Sequence, residues 1–334
     1  MSSVAQVTIH ESQFPDRVRR DLVESLRSRR VNQKFHYESI KQAHKWLRLH
    51  EAYSPARTDP DCEAAYVRSF EAVGSRIAGP CVHLIGLGCG GGQKEARLLE
   101  SFSSPGRELF YTPVDVSTAL VLVAREAALR ILPESRCRPL VCDLATADDL
   151  LSVLDGSAAE SSVRLLTFFG LIPNFEPELI LPRLSALVRS GDFLLFSANL
   201  APGPDYAQGV QHVLPLYDNE LTRDWLMTWL FDLGVEPGDG QVRFSIEADP
   251  ADPRLKRITA DFHFAHGRKI TLEGETFEFP CESSIQLFFS YRYTPALTRT
   301  ILAEHGLHVL DQWITRSEEE GVFLVGRSAV ATDR

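Results

Sequence analysis

From residue 81 onward, short runs of consecutive apolar residues alternate with longer stretches of helical spacing. Residues 81–86 (CVHLIG) read as a strand and 93–102 as a helix, and 109–115 with 117–132 repeat the pair. Residues 138–142, 164–169 and 192–199 read as further strands. A helix is predicted over 179–188, where Pro182 is tolerable only near the first turn. Strands without polar alternation are buried on both faces, and strands alternating with helices of this length form a parallel sheet covered on both sides. The expected fold class is therefore α/β, a Rossmann-like doubly wound parallel sheet.

The texture differs on either side of this block. Residues 10–75 read as mainly helical, with polar breaks near Asn32 and around Tyr53-Ser54-Pro55. After Ala201-Pro202-Gly203-Pro204, a Trp- and Leu-rich helix is predicted over 217–233, and 243–279 holds short alternating stretches such as RITADFHF, the mark of antiparallel strands. A helix from Thr294 and the strand GVFLVGR return to the core pattern. The expected organisation is an N-terminal helical segment (1–60) packing with an α+β accessory domain (201–285), and a core made of 61–200 and 286–334.

Charge narrows the partners. The net charge of −10 is the wrong sign for a protein that displaces counterions from nucleic acid. The arginines of 17–20 and 27–30 lie among acids in a helical stretch and read as a solvated face. The six cysteines form no CxxC pair and no Cys/His metal spacing, so no metal is expected. No signal pattern opens the chain and no apolar run approaches the ~20 residues of a membrane span, so the expectation is a cytoplasmic protein, a monomer or weak dimer acting on a small molecule.

Candidate chemistry begins at Gly86-Leu87-Gly88-Cys89-Gly90-Gly91-Gly92-Gln93-Lys94, between a strand and a helix. Glycines there permit a sharp turn and close approach of a ligand to the main chain. Gly86, Gly88 and Gly91 also satisfy GxGxxG, which keeps an NAD(P)-dependent oxidoreductase open. Asp115 ends the second strand, where a carboxylate accepts both ribose hydroxyls in either cofactor class. Asp143 ends the third strand, where methyltransferases set an acid against the adenine amino group, and no second acid belongs to the dinucleotide fingerprint. The pair favours a class I methyltransferase core using S-adenosylmethionine. A module that binds S-adenosylmethionine without catalysis is a further alternative.

Several short segments in order then resemble the histidine Nα-methyltransferases of ergothioneine biosynthesis. GLGCGGGQKE, PVDVS and CDLATADDL look like that family's glycine loop, second-strand motif and adenine-contacting segment. LHEAYSPART, LIPNF, LPLYDN and FFSYRYTP resemble its YYPTRTE, TIGNF, YDD and ENSYKYTP segments. The resemblance implies that Gly86, Gly88, Gly90, Lys94, Asp115, Asp143 and Leu144 bind S-adenosylmethionine. It implies that Asn174, Tyr37 and Tyr217 orient the acceptor amine, Asn174 holding its carboxylate and amine region, and that Tyr53 and Ser290 complete the pocket. Without that context, Tyr53 and Tyr217 read equally as half-buried aromatics, Tyr37 as a packing residue, and Asn174 as the close of a turn.

The departures bear on the acceptor. Phe288 stands where the family's imidazole-binding Glu lies, Ala260 where a Met lies, and Phe169 where a glycine opens the family's GSTIGN segment. A phenyl ring cannot accept an imidazole N–H, and the unpaired group costs about 1–3 kcal/mol. The acceptor expected is amino-acid-like, with an aromatic or apolar side chain in place of histidine. Histidine remains open if Glu282, Ser283 or Ser284 restores the lost polarity.

Overall fold

A computed structural model describes residues 4–54, 58–156 and 162–327. Part of the LHEAYSPART segment (residues 55–57) lies outside the described residues. The chain opens with β1 (Thr8–Ile9), α1 (Pro15–Arg27), α2 (Ile40–Tyr53) and α3 (Pro60–Arg76). The core follows as β2 (Cys81–Leu87), α4 (Gln93–Phe102), β3 (Glu108–Asp115), α5 (Thr118–Ala128), β4 (Leu140–Val141), α6 (Leu150–Asp155), β5 (Val163–Phe169), α7 (Pro177–Leu187) and β6 (Phe193–Asn199). Next come α8 (Tyr206–Val213), α9 (Glu220–Asp232), and β7 (Gly240–Ala248) through β8 (Lys256–Phe264), β9 (Arg268–Leu272) and β10 (Glu275–Phe279) to β11 (Ser284–Arg292). The chain closes with α10 (Pro295–Glu304), β12 (Leu307–Ile314) and β13 (Glu320–Arg327).

Eight strands form the main sheet in the order β1-β4-β3-β2-β5-β6-β13-β12. β1 to β6 run parallel, and β13 enters antiparallel between β6 and β12. Every residue of β2 is buried, as a central strand with helices over both faces requires. Alternate residues feed two cores. Ile85, Leu166 and Phe196 pack under α7 through Ile180 and Leu184, while Leu84, Leu165 and Leu195 pack under α3 and α4 through Phe70, Val73 and Leu98. Strand order reverses at β2, so the crevice at its carboxyl end is the switch point where ligands bind in open α/β sheets.

A third core joins Leu26, Val31 and Phe35 of the N-terminal segment to Trp225 and Trp229 of α9 and to Ala260, Phe262 and Phe288 of the three-stranded sheet β11-β8-β7. By pairing, β11 belongs to that sheet, although the sequence groups residues 286–292 with the core. The strand leaves it to reach the core edge, where the Tyr293 N–H donates to the Asn199 carbonyl.

Several elements differ from expectation for local reasons. Tyr217 lies outside the Trp-rich helix, because Asn219 caps α9 by accepting from the Thr222 N–H. α7 starts at Pro177, so Pro182 falls inside it. The helix keeps that proline on its exposed side, next to the likewise exposed Glu178, whose carbonyl loses its partner. Strands β1 and β12 have too weak an apolar signal to stand out in the sequence.

Candidate active site

The glycine loop rises from β2 into α4 at the switch point. Gly90 and Gly92 take the left-handed backbone (φ +50° and +70°), and a Cβ on Gly92 would lie 2.6 Å from the Ala124 Cα of α5. This turn aims the Gly90 N–H at Asp115 Oδ2 (3.0 Å), while Asp115 Oδ1 accepts from the Ser117 N–H (3.0 Å). Asp115 is buried and meets no cation within ion-pair distance among the described residues, and burial lifts its pKa from 3.8 to about 6. These backbone donors leave lone pairs over on the carboxylate. The pair of hydroxyls on a ribose fits that need.

Around this loop lies a cleft of about 480 Å³. Gly88, Gly90, Lys94, Asp115, Asp143 and Leu144 line it, as do Tyr37, Phe169 and Asn174. Gly86 does not; it stays within β2 against the Tyr111 side chain. Tyr53 is the last residue of α2 and is 53% exposed; it does not itself line the cleft, although its neighbour Ser54 does. Phe169 lines the cleft, its ring 5.4 Å from that of Tyr66 and 5.5 Å from Lys94 Nζ.

Asn174 sits in a short 3-10 turn after β5, and its Nδ2 donates to the Phe289 carbonyl of β11 at 3.0 Å. That bond fixes the amide, leaving Oδ1 without a partner among the described residues. Tyr217, Ser290, Phe288 and Ala260 are not part of the cleft wall. They form an adjoining group in which Phe288 and Ser290 flank the cleft residue Phe289 on β11, and the Tyr217 hydroxyl and Ser290 Oγ are 2.9 Å apart. Phe288 and Ala260 face each other across β11 and β8. The Phe288 ring packs 5.7 Å from Trp225 and 6.3 Å from Tyr217. Tyr37 closes the group, with its ring 5.4 Å from Trp225 and 5.8 Å from Trp46. Burial and the nearby Asp115 raise its phenol pKa far above the usual value, so it stays protonated at neutral pH.

Long-range partners add residues that sequence reasoning missed. The buried Lys34 Nζ bonds Asp21 and lies 3.4 Å from Asp143 Oδ2, so the N-terminal segment supplies the counter-charge of Asp143. Glu320 of β13 bonds the Tyr66 hydroxyl, which accepts from Lys94 Nζ at 2.7 Å. One acid in the run SEEEG is thus a cleft residue, and nothing in the run distinguishes it from its neighbours.

Glu95, in the first turn of α4, is buried with Thr167 Oγ1 donating to it at 3.1 Å, and desolvation lifts its pKa from 4.5 to about 7. A folded-state pKa above the unfolded one favours folding below about pH 4.5, and that contribution is lost as pH rises through about 7. Glu95→Gln is expected to be more stable than the parent by on the order of 3 kcal/mol at about pH 8, and equal to it near pH 4. Urea denaturation at the two pH values checks this, and equal midpoints at the higher pH would contradict it.

A sequence profile described as histidine-specific, S-adenosylmethionine-dependent methyltransferase matches residues 18–327. The chain belongs to this family. The methyltransferase also resembles solved structures at low identity. Magnesium protoporphyrin IX methyltransferase from Synechocystis PCC 6803 has 12% identity and a TM-score of 0.45, covering 88% of this chain and 98% of that one. The 1,6-didemethyltoxoflavin-N1-methyltransferase of Burkholderia thailandensis has 14% identity and a TM-score of 0.43, covering 90% and 92%. No curated protein sequence matches the methyltransferase. Among its described residues no acid, His or Cys cluster suits a metal ion, and no helix is long and apolar enough to cross a membrane.

Proposed function

We propose that this S-adenosylmethionine-dependent methyltransferase acts on the amine of an amino-acid-like acceptor whose side chain is aromatic or apolar, and that histidine is not its substrate. The observation that carries the reading is the buried Phe288–Ala260 pair within the ring cluster of Trp225 and Tyr217. The Phe288 ring offers an imidazole N–H no acceptor. Glu282 offers no remedy, since it is exposed in the turn before β11, where its N–H donates to the Phe264 carbonyl.

When bound, S-adenosylmethionine supplies an electrophilic methyl group on a sulfonium. Asp115 accepts the ribose hydroxyls, Asp143 and Leu144 take the adenine, Gly88 and Gly90 let the main chain approach, and Lys94 meets the carboxylate. Asn174 Oδ1 accepts an N–H of the acceptor and turns the nitrogen lone pair toward the cleft. Tyr37 stays a neutral phenol, so it positions and excludes water without acting as the base. Alignment and loss of water then favour the neutral amine. Tandem mass spectrometry of the methylated acceptor tests the reading: a methyl on the α-nitrogen is expected, and one on oxygen or carbon would refute it.

A further inference from the structure

Five lysine or arginine residues are buried among the described residues: Lys34, Arg125, Arg164, Arg257 and Arg292. Four have carboxylate partners. Lys34 pairs with Asp21 and Asp143, Arg125 with Glu126 and Glu134, Arg164 with Asp155 and Asp192, and Arg257 with Glu247. Arg292, 6% exposed, has none among the described residues. Its Nη1 donates to the Leu200 carbonyl (3.1 Å), its Nη2 to the Tyr217 hydroxyl (2.8 Å), and its Nε has no partner. Its guanidinium lies 5.2 Å from the centre of the Tyr217 ring. Taking a cation out of water costs several kcal/mol unless an opposite charge offsets it. The other four buried cations follow that rule.

We propose that Arg292 is the counter-charge for a carboxylate of the acceptor. The surroundings are rich in donors: the Arg292 N–H groups, the Tyr217 hydroxyl and Ser290 Oγ, which is 2.9 Å from it. Phe288, Ser290 and Arg292 alternate along β11 and so share one face, with Phe288 at one end and the guanidinium at the other. An amino acid lying along this face sets its side chain against Phe288 and its carboxylate on Arg292. Its amine is then left for Asn174 Oδ1, whose own Nδ2 is tied to the intervening Phe289 carbonyl. The cleft reaches Asn199, the residue before Leu200. This inference rests on the reading of Tyr217 and Ser290 as acceptor-pocket residues.

The test is calorimetric titration of protein saturated with S-adenosylhomocysteine, using 3-phenylpropionate as an amine-free carboxylate probe and 3-phenylpropanol as its uncharged match. The acid is expected to bind about ten-fold or more tightly than the alcohol. Arg292→Met should erase that difference and Arg292→Lys restore part of it, with S-adenosylhomocysteine affinity unchanged in both. Equal affinity for acid and alcohol, no binding of the acid to the parent protein, or undiminished binding to Arg292→Met overturns the proposal. If Arg292→Met fails to fold, the acid–alcohol comparison on the parent and on Arg292→Lys decides it. Acid-selective binding without methylation of any amino acid would retire the acceptor reading and leave the anion site standing.

Discussion

Asn174→Ala is expected to lower turnover by about 100-fold or more while S-adenosylhomocysteine still binds within about three-fold of the parent affinity. The two effects separate because the residues hold different parts of the cleft. Asp115, Asp143 and Lys94 come from the ends of β3 and β4 and from α4, whereas Asn174 follows β5 and is bonded to β11. Alanine removes the oxygen proposed to orient the amine. It also frees the Phe289 carbonyl, so the turn loses its tie to the strand carrying Phe288 and Ser290. Misplacement of a reacting atom by about 1 Å costs on the order of 100-fold, which is why the loss falls on turnover. Single-turnover rates at saturating S-adenosylmethionine provide the check. An unchanged rate would reduce Asn174 to a residue that closes the turn after Pro173.

Phe288→Glu is expected to move the ratio of kcat/KM for histidine over that for phenylalanine upward by about 10- to 100-fold, the scale of one buried hydrogen bond made or left unmade. The carboxylate would enter a site walled by Trp225, Tyr217 and Ala260, where a charge without a partner is costly. An imidazolium or an imidazole N–H supplies that partner, and an aromatic acceptor does not. The variant should therefore lose stability when free and regain part of it with histidine bound. A ratio unchanged in a variant that still binds S-adenosylhomocysteine would mean that the acceptor side chain lies elsewhere.

What the sequence disclosed was local. The glycine loop, Asp115 and Asp143 sit where the apolar runs of β2, β3 and β4 end, and strand ends can be read from spacing alone. Phe288 and Ala260, distant in the chain, were paired by resemblance, and their cross-strand register follows from β8 and β11 being antiparallel neighbours. The rest depended on contacts with no sequence signature. Lys34 reaches Asp143 across 109 residues, and Glu320 reaches Tyr66 across 254. Arg292 was legible only as one letter of FFSYRYTP. Its meaning emerges from what does not surround it, and burial with no acid nearby has no pattern along the chain. Tyr53 shows the converse, a motif residue whose helix end leaves it in solvent.

The most direct measurement is a competition. The protein is incubated with S-adenosylmethionine and an equimolar mixture of histidine, phenylalanine, tyrosine, tryptophan and leucine, and the acceptors are read by mass. An aromatic or apolar acceptor gaining methyl groups, with histidine left unmodified, is the predicted result. Preferential methylation of histidine would contradict the account, showing that a pocket holding Phe288 in place of a carboxylate still reads an imidazole.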